Sequence, residues 1–167
     1  MRLTICGIDP GKTGALVALR QNGIAAVLRM PLKPDGKSID GRAIARWLVL
    51  EEVDVACVEL IGARAHTNGA GKAIRNSGNE FRFAIGVGAI HGVLEAMGIP
   101  YQKVSPMRWK TAVLRGLGTD KEAAIKYVQL KMKGVDLTPG KIRKPNDGIA
   151  DAACIAAYGR DHVNWRE

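Results

Sequence analysis

Three short apolar segments joined by glycine-containing turns open the sequence, and this pattern constrains the fold more than any other feature. The segments span residues 3–9, 14–20 and 24–29, separated by the turns Pro10–Thr13 and Gln21–Gly23. Apolar runs of this length between turn residues predict an antiparallel meander of three strands. The chain is therefore expected to begin as a sheet.

After the meander, helical and extended patterns alternate. Residues 31–38 form a polar loop, and Asp40 can cap a helix whose apolar residues follow a helical period, namely Ile44, Trp47, Leu48 and Leu50. The later predictions are a strand at 53–59, a helix from Phe81 to Met97, a strand at 100–104, a short helix opened by Ser105-Pro106 and ending at Leu114, a helix running from the capping box Thr119–Glu122 to about Lys133, and a last helix over Gly148–Tyr158. This order predicts a mixed α/β fold with one five-stranded sheet and helices packed on it.

The chain length of 167 residues favours one domain, spanning 1–167, because two comfortable cores would need more residues. Residues 62–79 are rich in Gly, Asn, Arg and His and show no apolar period. We expect a long mobile loop there, of a length that is usually functional. In the helix that follows, small residues recur every four positions, which suits a partner helix either in the same chain or in a second subunit: Ala84, Gly88, Gly92 and Ala96.

The charge balance narrows the classes of partner. Lysine and arginine number 25 against 16 acidic residues, which gives a net charge of +9 and a pI of about 9.7. Such a basic chain is expected to bind an anion, most often nucleic acid, although an anionic membrane surface is also compatible. No apolar stretch is long enough to predict a membrane span, and no secretory leader is expected before the first strand. Three cysteines, each within an apolar element, predict buried thiols and a cytoplasmic or nucleoid-associated protein.

Four carboxylates occupy the ends of predicted elements. Asp9 ends the first apolar run, Glu59 ends the fourth strand, and Asp147 and Asp151 lie four apart on one face of the last helix. Singly, each has an ordinary interpretation as a turn residue, a strand-end charge or an acid in a first helical turn. Together they supply the oxygen ligands that Mg²⁺ prefers, and two such ions can assist cleavage of a phosphodiester. In a basic chain they predict metal-assisted hydrolysis of a polyanion.

Basic residues cluster near the predicted site. Arg108 and Lys110 lie on the short helix, and Lys121 lies in the first turn of the next one, where the dipole favours a phosphate. Three more cations directly precede the acidic pair: Lys141, Arg143 and Lys144. The ordinary alternative for any one of them is a solvated surface charge. As a group they predict a surface that holds a phosphate backbone while the acids direct chemistry.

Five short motifs, spread in order over nearly the whole chain, carry a resemblance to a known family: Gly7-Ile8-Asp9-Pro10-Gly11, Val58-Glu59, Trp109-Lys110, Asp120-Lys121-Glu122-Ala123 and Asp147-Gly148-Ile149-Ala150-Asp151-Ala152-Ala153. They resemble the RuvC-type Holliday junction resolvases, closest to the phage, bacterial and plastid branch related to the MOC1 resolvases. The resemblance implies an RNase H-like fold, a homodimer, and Mg²⁺- or Mn²⁺-dependent nicking of two opposed strands of a four-way junction. It also implies two ions per site, with Asp9, Glu59, Asp147 and Asp151 as ligands.

The same resemblance implies that Lys110 and Lys121 contact phosphates, and two departures from the family pattern qualify it. Asn146 competes with Asp147 for the fourth ligand position. The aromatic residue that some resolvases insert into the junction is missing, because Leu60-Ile61-Gly62 stands after the second acid. The candidates left for that contact lie in the long loop: Arg64, His66, Lys72 and Arg75.

We therefore expect a structure-selective endonuclease acting on branched DNA. Two other interpretations share the fold or the first motif: a nuclease for RNA–DNA hybrids or RNA ends, and a fragment of an actin-like kinase or ATPase. The kinase interpretation lacks the second lobe and second phosphate loop that such enzymes need. A junction-binding protein without catalysis is a further alternative, and the intact acids argue against it.

Overall fold

One five-stranded sheet forms the centre of the molecule. The structure is a computed structural model that describes residues 3–60, 77–140 and 143–165. The strands are β1 (Ile5–Asp9), β2 (Ala15–Leu19), β3 (Ala25–Arg29), β4 (Val55–Glu59) and β5 (Tyr101–Val104), in the spatial order β3-β2-β1-β4-β5. β1, β2 and β3 pair antiparallel, whereas β4 runs parallel to both β1 and β5. The predicted meander and the mixed five-stranded sheet are confirmed.

Five helices cover this sheet: α1 (Gly41–Leu50), α2 (Ser77–Ala96), α3 (Pro106–Val113), α4 (Lys121–Lys131) and α5 (Asp147–His162). Their order matches the prediction, but several ends differ. α2 begins at Ser77, so residues 77–79 are helical and not part of the predicted loop, while residues 62–76 lie outside the described residues. α5 continues to His162, one turn beyond the predicted Tyr158; Gly159 is still buried, and the last three residues of the helix are exposed.

Capping residues account for four of the helix starts in the described part of the chain, those of α1, α3, α4 and α5. The Asp40 side chain accepts hydrogen bonds from the backbone nitrogens of Arg42 and Ala43, and the Ser105 side chain accepts one at the start of α3, as predicted. The predicted capping box at the start of α4 is wrong. Asp120, one residue later than Thr119, caps α4 by accepting a hydrogen bond from Ala123 N at 2.8 Å.

The two faces of the sheet carry separate cores. Side chains alternate along each strand, so Cys6 and Ile8 pack towards α1 and α2, whereas Cys57 packs towards α5. On the second face, α5 lies directly on β1, and a Cβ added to Gly7 would overlap the backbone of Ala152 and Ala156. Backbone approaches backbone here, so glycine is required at this position.

The small residues of α2 face outward. Ala84, Gly88, Gly92 and Ala96 are exposed, and no described atom lies within 4 Å of a Cβ built on Gly88 or Gly92. Of the two partners left open by the sequence, a helix elsewhere in the described part of this chain is thus excluded. The three cysteines are buried and unpaired, as predicted. Within the described ranges, no helix is long and apolar enough to cross a membrane.

Candidate active site

Two of the four candidate acids stand at the carboxyl ends of neighbouring parallel strands. β1 and β4 pair in register from Ile5 with Val55 to Ile8 with Val58, so Asp9 and Glu59 are the next residues on each strand. Both follow the alternation that points Cys57 towards α5, so they share the face that α5 covers. The carboxyl ends of parallel strands are where open α/β sheets commonly place ligands.

The other two acids approach the same place from α5. Asp147 is the first residue of the helix and Asp151 lies one turn further on. Gly148, between them, lets α5 start against the turn after β1, since a Cβ there would overlap the backbone oxygen of Thr13. The helix head is therefore held against the end of β1, which brings Asp151 close to Asp9.

Asn146 has a structural role at this helix start. Its side-chain oxygen accepts a hydrogen bond from Ile149 N at 2.9 Å and so caps α5. Asp147 Oδ1 accepts from Gly148 N at 3.1 Å. Because the capping bond occupies the Asn146 amide oxygen, the geometry favours Asp147 over Asn146 as the candidate fourth ligand.

Burial and mutual repulsion change the acidity of two of these carboxyls. Burial raises the pKa of Asp151 to about 7; Lys110 lowers it, and the charges of Asp9, Glu59 and Asp147 raise it further. Burial also raises the pKa of Asp9 to about 6, against a hydrogen bond from Gly11 N that lowers it. Desolvated carboxylates that repel one another are typical of functional sites, and a cation would relieve both penalties.

Trp109 holds the Glu59 carboxylate in place through a hydrogen bond. This tryptophan is the fully buried residue of α3, and its indole nitrogen donates a hydrogen bond to Glu59 Oε1 at 2.9 Å. The bond fixes one oxygen of the Glu59 carboxylate. The sequence motif Trp109-Lys110 identified the pair by resemblance, but nothing in the local pattern predicted this contact across 50 residues.

Lys110 brings a positive charge close to Asp151. Its ammonium lies 5.3 Å from the centroid of the Trp109 ring, and its charge lowers the pKa of Asp151. The adjacent residues of α3 thus act on two different acids, Trp109 on Glu59 and Lys110 on Asp151. Lys110 therefore places a positive charge, complementary to that of a phosphate, beside the acids.

The donor chemistry fits a hard divalent cation, although the acids are not drawn into a closed cluster. Among the described residues, no group of three or more His, Cys, Asp and Glu side chains has the spacing of a metal-ligand set. Like charges repel, so these carboxylates are not brought together by their own electrostatics. All the candidate donors are carboxylate oxygens, which suit Mg²⁺ or Mn²⁺ and disfavour zinc.

The remaining predicted basic residues are distributed unevenly. Arg108, Arg143 and Lys144 are exposed, the first on α3 and the other two just before the head of α5. Lys121 is the first residue of α4, and its side chain lies outside the described part. The other candidates also lie outside the described residues: Arg64, His66, Lys72, Arg75 and Lys141.

Comparison with known proteins gives the fold a name. No protein-family model and no curated protein matches this sequence. RuvC of T. thermophilus in complex with a Holliday junction substrate has the same fold, with a TM-score of 0.59 and 19% identity over 92% of this chain and 90% of that one. A second Thermus thermophilus RuvC structure gives 0.57 and 18% over 95% and 96%. The yeast mitochondrial Holliday junction resolvase Ydc2 gives 0.53 and 12% over 93% and 76%.

The chain thus has a RuvC-type fold within the RNase H-like class, as the resemblance implied. Identities below one fifth establish architecture and leave the chemistry to be argued from the site.

Proposed function

We propose that this protein is a metal-dependent, structure-selective endonuclease that nicks four-way or other branched DNA junctions. The observation that carries the proposal is the meeting of acids from three elements, β1, β4 and α5, with Lys110 beside them. Two solved structures of the same fold support this choice of substrate: T. thermophilus RuvC in complex with a Holliday junction substrate and the yeast mitochondrial Holliday junction resolvase Ydc2. On the strength of the five sequence motifs, we further propose that the chain belongs to the phage and bacterial branch similar to the MOC1 resolvases.

In the proposed site, Asp9, Glu59, Asp147 and Asp151 hold Mg²⁺ or Mn²⁺, two ions per site. When bound, such ions activate water and stabilise the leaving 3′ oxygen of a phosphodiester. The chain's own contribution is positional. β1 and β4 fix two carboxylates side by side, the head of α5 adds the others, and Trp109 holds the rotamer of Glu59.

Cations around the acids hold the DNA backbone. Lys110 is nearest, because its charge already acts on Asp151. We assign further phosphate contacts to Lys121, Arg108, Arg143 and Lys144, and to the residues outside the described part: Arg64, His66, Lys72, Arg75 and Lys141. Such contacts fix the register of the strand without reading its sequence. They suit a protein of net charge +9 that acts in the cytoplasm on nucleoid or phage DNA.

Two opposed cuts call for two sites, and we propose a homodimer formed through α2. The exposed small-residue stripe runs beside the exposed apolar side chains of Phe81 and Ile85. A twofold dimer uses the same patch twice, so one bulky change is felt on both sides. Gly88→Leu should shift the protein towards monomer in analytical ultracentrifugation and uncouple the paired nicks. A wild-type protein that stays monomeric at micromolar concentration would contradict the dimer.

A substrate panel tests the function. The wild-type protein is incubated with a synthetic four-way junction, an RNA–DNA hybrid and a linear duplex, each with Mg²⁺ or with EDTA. We expect Mg²⁺-dependent nicks on opposed strands of the junction and little cutting of the other two. Preferential cutting of the hybrid would favour the RNase H-like alternative, and junction binding without nicks would favour a non-catalytic protein.

Site variants connect that activity to the proposed ligands. Asp9→Asn and Asp151→Asn should abolish nicking while junction binding in EDTA stays close to wild type, because each removes a metal ligand and no phosphate contact. Wild-type cutting rates in either variant would show that the acids have been assigned wrongly. ATP turnover without nicking would instead revive the actin-like alternative.

A further inference from the structure

A groove lies beside the turn that follows β1. The turn after β1, the loop between β3 and α1, and the N-terminal half of α2 enclose a volume of about 550 Å³. Sites for small ligands span roughly 300–1,000 Å³, so this groove has room for one nucleotide. Pro10 lines it, and Asp9 is the preceding residue, so the groove adjoins the candidate active site.

The charge of this groove is of one sign. Lys12, Lys37 and Arg82 line it, one from each enclosing element, and no acidic residue is among its described lining. Within the described ranges no carboxylate forms an ion pair with any of the three. Asp35, two residues from Lys37, is used inside its own loop, where it accepts hydrogen bonds from Lys37 N and from Ser38. Three cations that line one groove, with no ion-pair partner among the described residues, favour a phosphate.

The floor of the groove is apolar and partly aromatic. Phe83 and Ile39 are half-buried there, so each keeps part of its surface open to the groove. Gly86 lets α2 approach the loop closely, since a Cβ at that position would come within 2.8 Å of Ile39 Cδ1. Cations around an aromatic side chain are the combination by which proteins hold an unpaired nucleotide.

We propose that this groove, the α2 groove, holds a nucleotide of the strand being cut, next to the scissile phosphate. Lys12, Lys37 and Arg82 neutralise its phosphate, and its base stacks on Phe83. An acidic protein segment would satisfy the cations but would have no use for an aromatic side chain beside them. The inference rests on the proposed function, to which it adds a strand path running from Lys110, across the acids, to α2.

Binding of the full-length protein in EDTA tests the groove. The probes are a synthetic four-way junction and a short oligothymidylate, each titrated over a range of salt concentrations. Lys12→Ala, Lys37→Ala and Arg82→Ala should each reduce the slope of log affinity against log salt, by about 0.7 on the single strand. Lys33→Ala, in the same loop, and Arg46→Ala, on α1, are exposed cations outside the groove and should leave the slope unchanged.

Phe83→Leu separates stacking from charge. It keeps an apolar side chain but removes the aromatic face, so single-strand affinity should fall by roughly 5- to 100-fold with no change in salt slope. Unchanged affinity in Phe83→Leu together with unchanged slopes in the three cation variants would overturn the proposal. Circular dichroism spectra and unfolding midpoints like those of wild type identify which variants remain folded and count in the comparison.

Junction nicking by the wild-type protein keeps the two proposals distinguishable. If the wild type nicks but the groove variants bind as it does, the α2 groove is wrong and the endonuclease stands. If the wild type never nicks yet the groove variants lose single-strand binding as described, the groove stands without the chemistry.

Discussion

The two faces of the sheet are built on different principles. On one, α5 lies so close to β1 that Gly7 meets helix backbone, and eleven of its residues are buried, from Gly148 to Gly159. On the other, α2 contributes Ile90 and Leu94 to the core but turns Phe81, Ile85 and its small-residue stripe outward. The first face fixes the acids in place, and the second face leaves surface available for a partner.

This difference shows where the chain can tolerate change. On the α5 face there is no room for a methyl group at Gly7, because the added carbon would have to displace the backbone of α5. The α2 face has open space at Gly88, where the same methyl group meets nothing within 4 Å. The contrast can be measured directly with matched substitutions.

The largest expected effect is on stability. Gly7→Ala should lower the free energy of unfolding by more than about 3 kcal/mol, because the new Cβ overlaps backbone atoms of α5. Gly88→Ala adds the same atom on a helix face that is exposed in the single chain, and should raise the stability of the monomer by about 0.5–1 kcal/mol. Urea unfolding of both variants in EDTA gives the comparison. A Gly7→Ala protein as stable as wild type would mean that α5 does not sit directly on β1.

The second effect concerns the acids that the α5 face holds. The raised pKa of Asp151, about 7, means that its protonated form stabilises the fold; this contribution is complete below about pH 4 and is lost as the pH rises through 7. In EDTA, Asp151→Asn should therefore match wild type near pH 4 and exceed it at pH 8, by on the order of 2 kcal/mol.

Asp161→Asn is the control of opposite sign. A hydrogen bond from Arg160 lowers the pKa of Asp161, so its contribution is present at neutral pH and is lost as the pH falls. That variant should be slightly less stable than wild type at pH 8. Equal stability of Asp151→Asn and wild type at every pH would show that Asp151 is not held in a desolvated, repulsive site.

The third effect concerns the support beneath Glu59. Trp109→Phe keeps the ring in the core but removes the hydrogen bond to Glu59 Oε1. Loss of such a supporting contact typically weakens metal binding by 10- to 100-fold, so the Mg²⁺ concentration for half-maximal nicking should rise by about that factor. Trp165→Phe is the matched control, because the Trp165 indole donates to Gly159 O at 2.9 Å, away from the acids. An equal shift in both variants would indicate a general loss of packing.

The smallest effect concerns Lys110. Lys110→Ala should reduce the slope of log junction affinity against log salt by about 0.9 and weaken binding alike for all sequences. Lys126→Ala removes an exposed lysine that pairs with Glu122 on α4 and should leave the slope as it is. An unchanged slope in Lys110→Ala would leave the basic residues before α5 as the main backbone contact on this side.

Local patterns in the sequence predicted most of the architecture and missed the contacts between distant segments. Apolar runs and turn glycines predicted the five strands and the antiparallel meander, and Asp40 and Ser105 cap the helices expected of them. The start of α2 was missed because Ser77, Gly78 and Asn79 have the composition of a loop, although they form the first turn of the helix. Thr119 and Asp120 are both good caps, and periodicity cannot choose between neighbours.

The candidate site was predictable only in part for the same reason. Acids at the ends of predicted elements could be found from their positions, since the carboxyl ends of parallel strands meet at one edge. The bond from Trp109 to Glu59 and the approach of Lys37 and Arg82 to the same groove join residues far apart in the chain. No local period encodes such contacts, which depend on how the helices pack on the sheet.

The buried cysteines give each face of the sheet its own reporter. Cys6 lies under α1 and α2, whereas Cys57 lies under α5 and Cys154 is a buried residue of α5 itself. Burial raises the pKa of Cys57 to about 12 and that of the other two thiols as well, so little reactive thiolate is present in the closed protein. Alkylation therefore requires a local opening of the fold, and its rate at each cysteine measures how often the helices on that face of the sheet separate from it. Mass spectrometry of the native protein would then give the opening rates of the two helical layers separately, without any engineered label.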